Sequence, residues 1–316
     1  MYWAAEVAAV HSPAVRALVT GANGFVGRHL VELLTVLGEE VIAIDRSTGG
    51  ADLTDRAAVA HEVAAARPEV IYHLGGASDV GGSWQRPTET FETNANGTLH
   101  LLLAARAVGA RRVLVVSSAD VYGKVEPHEL PITEESPLRP TSPYAASKVA
   151  ADHLGQQAWL GHGLEVLRVR AFNHIGPGQS DRFVVPAIAE RIARNELTGG
   201  HEVPVGNLTA RRDITDVRDV VRAYRMLVES GAPGEVYHVC SGVDVEIADL
   251  ADRLLSRARH PMHLVSDPAR LRPVDLEVLR GSNDKLRAAT GWQPEHSLDD
   301  TLADVLDEWR TTLARL

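Results

Sequence analysis

Short apolar runs alternate along this chain with longer stretches in which apolar residues recur every three or four positions. These are the signatures of buried strands and of helices packed on one face. A run at 17–19 is followed by a helical period over 25–37, a run at 41–44 by a helix that begins near Asp55, and a run at 70–74 by a helix over about 93–108. A fourth strand is expected at 112–117. After a loop rich in proline and acid, roughly 123–143, come a helix at 144–160 and a fifth strand at 165–170. Strands alternating with helices predict an α/β fold built on a doubly wound parallel sheet, with right-handed crossovers and ligands across its carboxyl edge. Beyond Phe172 the alternation loosens. It predicts helices at 182–195, 217–230, 247–258, 284–289 and 298–313, and a strand at 234–239 that returns to the sheet. The segments GGHEVPVGNLTARRD and DPARLRPVDLEV read as loops. The expected division is an extension at 1–15, a main domain at 16–172 with 214–242 returning to it, and a smaller interleaved lobe at 173–213 and 243–316 that covers a substrate.

The turn after the first strand gives the sheet its first chemistry. Gly21, Gly24 and Gly27 stand at three-residue spacing between strand and helix. The first permits a tight turn, the second lets backbone approach a pyrophosphate, and the third lets helix pack on strand, so that phosphates meet the free N–H groups of the helix start. This is a Rossmann-type cradle for a dinucleotide. Asp45 ends the next apolar run, where a carboxylate accepts hydrogen bonds from the adenosine ribose and repels a 2′-phosphate. That favours NAD(H) over NADP(H), and Arg46 beside it softens the preference. The Gly75-Gly76 step at the end of the third strand lets backbone lie close to a ligand.

Two further clusters fall on the same edge. Tyr144 and Lys148 are one helical turn apart and share a face. An ammonium beside a phenol is expected to lower its pKa, so that Tyr144 exchanges a proton with a hydroxyl or carbonyl near neutral pH. Ser118 and Asp120 follow the fourth strand: the serine can hydrogen-bond a reacting oxygen, and the aspartate offers an additional acid or base. Either motif alone is common by chance; their order after a dinucleotide turn favours catalysis.

Bulk properties narrow the classes. The 316 residues suffice for one large α/β domain and a smaller lobe. Charge breaks every apolar run before bilayer length, so no membrane span is expected. The opening MYWAAEVAAVHSPAV lacks a basic region, reads as a loose extension, and leaves cytoplasmic residence as the expectation. The single Cys240 excludes an intramolecular disulfide and is expected to be buried. A net charge of −10 and a pI near 5.8 argue against a nucleic-acid footprint. The histidines show no metal-ligand spacing.

With these residues in place, the chain resembles the extended short-chain dehydrogenase/reductases that modify nucleotide sugars. The carriers are TGANGFVG, DLTD, HLGGAS, NANGT, VVSSADVYG, SPYAASK, FNHIGPGQ, VGNLTARRD, DVRDVVRAY and LRPVDLEVLRGSNDKLRAATGW. The later motifs are most similar to the branch holding GDP-mannose 4,6-dehydratase and, closer still, GDP-4-keto-6-deoxymannose reductase. The resemblance implies that Gly21, Gly24, Phe25 and Gly27 hold the cofactor pyrophosphate, with Asn23 and Val26 beside them. It places Asp52 and Leu53 at the adenine, and Leu74, Gly75, Gly76, Asn94 and Ser117 in the rest of the dinucleotide groove. Lys148 would bond the nicotinamide ribose, along with Tyr144. Ser78, Val80, Ser118, Asn173 and Asn207 would face the nucleotide sugar, and Arg212 and Arg272 would clamp its pyrophosphate. Arg211, Arg218 and Arg222 lack such support and are expected at the surface or in helix pairing. The glycine pair in HLGGAS, where the family carries alanines, is expected to change little beyond loop freedom. Dehydratases of the branch carry glutamate where Asp120 stands, which counts against dehydration. The leading expectation is reduction of a nucleotide-linked 4-keto-6-deoxyhexose. The alternatives are a cofactor-recycling 4-epimerase or 4,6-dehydratase and, from another class, a catalytically silent dinucleotide sensor. Relatives usually form homodimers through two helices, here about 93–108 and 144–160.

Overall fold

The computed structural model describes residues 15–270 and 276–315. The apolar runs at 17–19, 70–74, 112–117 and 165–170 become strands largely buried within the sheet, as a parallel sheet requires, and the run at 41–44 becomes its partly exposed edge. The first half of the chain gives β1 (Arg16–Thr20), α1 (Phe25–Val36), β2 (Glu40–Ile44), α2 (Arg56–Ala66), β3 (Val70–His73), α3 (Pro87–Phe91), α4 (Gly97–Ala107), β4 (Arg112–Ser118), α5 (Pro143–His162) and β5 (Glu165–Ala171). The second gives β6 (Asn173–Ile175), α6 (Val184–Thr198), β7 (Glu202–Val205), β8 (Arg211–Asp216), α7 (Val217–Ser230), β9 (Val236–Val239), β10 (Asp244–Glu246), α8 (Ile247–Leu255), β11 (His263–Ser266), β12 (Val278–Leu279), α9 (Asp284–Thr290) and α10 (Leu298–Leu313). Six strands form one parallel sheet in the order β2-β1-β3-β4-β5-β9. The fold is a Rossmann-like α/β fold.

Two apolar layers cover the sheet. On one face Leu30, Leu34, Val220 and Leu227 of α1 and α7 pack on Val19, Tyr72 and Val169; on the other, Val59, Leu101, Ala105 and Ala158 of α2, α4 and α5 pack on Leu18, Ile71 and Val113. A separate core joins Ile188 and Ile192 of α6, Leu250 and Leu254 of α8, and Leu302 and Leu306 of α10. Beneath the carboxyl edge lies a buried charge network. Asp152 receives Arg168 at 2.8 Å and Arg170 at 2.9 Å, and Arg170 donates on to the Tyr122 hydroxyl at 2.7 Å. With both arginines bonded, the sheltered carboxylate is compensated.

Some elements differ from the sequence expectations. The third helix starts earlier, at Pro87 in the favoured first-turn position, and then passes through one π-helical turn (Glu92–Asn96) before α4. The segment read as a loop after α6 contains β7 and β8. The short β7 alternates buried Val203 and Val205 with Pro204, and a proline within a run argues against a strand except at an edge. Among the described residues its only partner is β11. Of the two roles expected for Arg218, surface or helix pairing, it takes the second: it is buried and pairs with Asp216 at 2.7 Å and with Asp304 of α10 at 2.9 Å, linking α7 to α10. Cys240 is buried, and burial pushes its thiol well up. Among the described residues no helix is long and apolar enough to cross a membrane, and no group of three or more metal-ligating side chains is assembled.

Candidate active site

The carboxyl ends of β1, β3, β4 and β5 open into a cleft of about 1230 Å³. Because β2 and β3 flank β1 on opposite sides, the chain reverses its direction across the sheet there, which is where open α/β sheets leave a ligand crevice. Gly21 takes φ +69° in the turn. A Cβ on Gly27 would stand 2.1 Å from the Gly21 carbonyl oxygen, so only glycine allows helix and turn to lie this close. Helix α1 starts at Gly24 without a side-chain cap and without an acidic residue in its first turn. Its first N–H groups and positive dipole end are thus left for an anion, which fits a dinucleotide pyrophosphate.

Gly21, Gly24, Phe25, Val26 and Gly27 line the cleft, with Asp45, Arg46, Asp52 and Leu53 further along the wall. Asn23 is not in the wall. Its N–H donates to Asp45 Oδ2 at 3.0 Å and its amide to the Ser47 hydroxyl at 3.1 Å, so it shapes the turn from behind. Burial works to raise the Asp45 carboxyl, but hydrogen bonds from Ser47 and Asn23 and the charge of Arg46 hold it below its ordinary value. Arg46 also faces Asp52 at 3.3 Å, so its charge is shared.

Leu74, Gly75, Gly76, Ser78 and Val80 line the cleft beyond β3. Asn94 sits in the π-helical turn and is buried behind that loop. Its Oδ1 accepts from Ala77 N at 2.8 Å, and its amide donates to Ala77 O at 3.0 Å and to the Ser147 hydroxyl at 2.9 Å. It fastens the loop and does not line the groove. A Cβ on Gly76 would meet Asn94 Oδ1 at 2.7 Å. The second glycine of the pair therefore does more than loosen the loop: it makes room for this brace.

Ser117, Ser118, Asp120, Tyr144 and Lys148 all reach the same wall. Ser118 ends β4 and caps the short turn that follows, accepting from Asp120 N at 3.2 Å. Ser142 caps α5, which puts Tyr144 and Lys148 in its first turns. The Tyr144 phenol and the Ser118 hydroxyl are neighbours in this wall. Burial and the Asp120 charge push the phenol above its ordinary value, and the nearby Ser118 hydroxyl draws it only part of the way back. Lys148 donates to the Val116 carbonyl at 2.9 Å, and burial brings its ammonium down to about 8. The expectation that Lys148 depresses the phenol is corrected: with the ammonium turned to a backbone carbonyl, desolvation and Asp120 outweigh it, and Tyr144 is held protonated.

Asn173 and Arg212 also line the cleft. Arg212 donates to the Leu276 carbonyl at 2.7 Å, whereas its neighbour Arg211 is paired with Asp244 at 2.5 Å. Asn207 is not in the wall; its Oδ1 accepts from the Thr209 N–H at 3.0 Å and hydroxyl at 2.9 Å, closing a tight turn between β7 and β8. Arg272 lies outside the described residues. The structure adds wall residues not singled out from sequence, Arg28, Gln179, Arg182 and Tyr224 among them. Arg28 directly follows Gly27, a position that could have flagged it. Tyr224 follows the apolar period of α7 and reads as core.

Comparison with known proteins places this geometry. Residues 48–305 match the family model described as GDP-mannose 4,6 dehydratase. The chain is 38% identical over 298 residues to the GDP-6-deoxy-D-mannose reductase of Pseudomonas aeruginosa, covering 94% of this chain and 97% of that protein. Among solved structures, RMD from Pseudomonas aeruginosa complexed with NADPH superposes with a TM-score of 0.86 at 36% identity, over 95% of this chain and all of that one. The UDP-glucose 4-epimerase of Thermus thermophilus in complex with NAD gives 0.84 at 29% identity, covering 93% of this chain and 98% of that one. The chain therefore belongs to the GDP-mannose 4,6-dehydratase family of extended short-chain dehydrogenase/reductases.

Proposed function

We propose that this enzyme reduces a nucleotide-linked 4-keto-6-deoxyhexose, of the GDP-4-keto-6-deoxymannose type, at the sugar C4. The observation that carries the reading is that Ser118, Tyr144 and Lys148 stand together in the cleft wall at the carboxyl end of β4, with burial keeping the Tyr144 phenol above its ordinary value. The uncapped α1 terminus and Gly27 would hold the dinucleotide phosphates, and Asp45 its adenosine ribose. When bound, the nicotinamide supplies hydride. Tyr144 delivers its proton to the sugar C4 oxygen, Ser118 hydrogen-bonds that oxygen as charge develops on it, and Lys148, also placed for the nicotinamide ribose, keeps positive charge within the wall. Asn173 and Arg212 face the nucleotide sugar, and the lobe built on α6, α8 and α10 covers it. Deuterium supplied at the reactive position of the reduced cofactor is expected at the product C4; a product without deuterium at C4 contradicts the reading.

Asp45 supports NAD(H) as the cofactor, with NADP(H) as the alternative that the Pseudomonas aeruginosa complex brings. A recycling 4-epimerase or 4,6-dehydratase is the second reading, favoured by one observation: the Asp120 carboxylate lies near enough to Tyr144 to act on its phenol. An Asp120→Asn variant that loses all turnover favours recycling; one that still reduces substrate favours simple reduction. A cytoplasmic homodimer completes the proposal. Exposed Leu160 near the end of α5 supports pairing through α4 and α5, and light scattering tests it.

A further inference from the structure

Buried hydroxyls in this protein mostly have partners. Tyr122 accepts from Arg170 at 2.7 Å and bonds His238 at 2.5 Å, and the Tyr237 oxygen accepts from Ala232 N at 2.9 Å. Tyr224 differs. It projects from α7, is wholly buried, and its hydroxyl has no hydrogen-bond partner among the described residues. Leaving such a group unpaired costs free energy that an apolar ring of the same shape would not. Tyr72 has the same deficit but is not in the cleft wall, whereas Tyr224 is. Gln179 Oε1 is likewise buried and unpartnered in the wall, but it sits in the turn after β6 and its amide is anchored on the His174 carbonyl. Tyr224 lies close enough to Tyr144 for charge there to be felt at its own phenol. Tyr224 therefore belongs to the part of the cleft wall that also holds Tyr144.

We infer that Tyr224 is a ligand-binding residue whose hydroxyl donates to an oxygen on the nicotinamide half of the bound dinucleotide. The inference rests on the proposed dinucleotide-dependent function. It explains why a tyrosine stands in an otherwise apolar layer made by Val220, Val221, Ala223 and Leu227, where phenylalanine would pack as well. Dinucleotide binding would give this donor its partner.

Tyr224→Phe separates this role from a structural one. Calorimetric titration of the purified variant with NADH and NADPH is expected to show about five- to tenfold weaker binding of whichever dinucleotide the wild type prefers, the worth of one neutral hydrogen bond. Affinity for ADP, which lacks the nicotinamide half, is expected to be unchanged, and the ligand-free melting temperature equal or higher. Unchanged dinucleotide affinity overturns the assignment, as does an equal loss with ADP or a fall in ligand-free melting temperature. Failure of the wild type to bind either dinucleotide overturns the proposed function itself, and this inference with it.

Discussion

Ser118 and Tyr144 stand side by side in the cleft wall, although one ends β4 and the other stands in the first turn of α5. The arrangement sets a positioned donor beside the proton it helps to deliver, and the two residues are expected to fail together. Tyr144→Phe removes the proton and should lower turnover by at least about a thousandfold, while Ser118→Ala should cost about a hundredfold. Both variants should retain dinucleotide affinity within about threefold. Single-turnover kinetics beside equilibrium titration checks this; full activity in Tyr144→Phe removes the phenol from the mechanism.

Lys148 makes stability depend on pH in an unusual direction. Its ammonium titrates at about 8 in the folded chain against an ordinary value of 10.5. Between these values the unfolded chain binds more protons, so this residue's contribution to stability rises from about pH 8 to about pH 10.5, and below pH 8 the full cost of the buried charge is present. Melting temperatures of wild type and Lys148→Met across pH 7–11 check the sign. The advantage of the methionine variant should be largest near pH 7 and shrink above pH 8; an advantage that grows with pH contradicts the burial.

Gly27 tests the phosphate cradle. A methyl group there would lie 2.1 Å from the Gly21 carbonyl oxygen and 2.7 Å from that of Ala22, both backbone atoms that cannot swing aside. Gly27→Ala should cost about 1–3 kcal/mol in stability, and moving the turn should weaken dinucleotide binding more than tenfold. Chemical denaturation and titration on one preparation measure both; unchanged binding would place the pyrophosphate elsewhere.

Asp45 is the lever on cofactor choice. Its carboxylate is held ionised in the wall by Ser47 and Asn23, and negative charge there opposes a 2′-phosphate. Asp45→Asn should shift the ratio of kcat/KM for NADPH over NADH upward by about tenfold. A ratio that does not move assigns the choice to other residues.

Much of this site could be read from the chain because its chemistry is local. The glycine turn, Ser118 with Asp120, and Tyr144 with Lys148 each occupy one strand end or one helical turn, where spacing dictates proximity. What could not be read depends on contacts far apart in sequence. Asn94 looks like a groove residue until the π-helical turn aims it at the back of the Ala77 loop. Asn207 spends its carbonyl oxygen on Thr209, two residues away. The protonation of Tyr144 follows from burial and from Lys148 turning to the Val116 carbonyl, and neither is visible as a spacing. The strands β10 and β12 escape because two or three residues cannot establish a period of two, β7 because Pro204 interrupts it, and β8 because RRDITD holds a single apolar side chain, Ile214.

The central claim, net reduction at the sugar C4, is tested most directly by counting cofactor. Purified enzyme, excess NADH or NADPH in parallel, and a limiting amount of GDP-4-keto-6-deoxymannose are mixed, and loss of reduced-cofactor absorbance is followed to completion. One equivalent oxidised per equivalent of sugar is the expected result. Conversion of sugar without net cofactor oxidation would contradict reduction and assign the enzyme to the recycling chemistry.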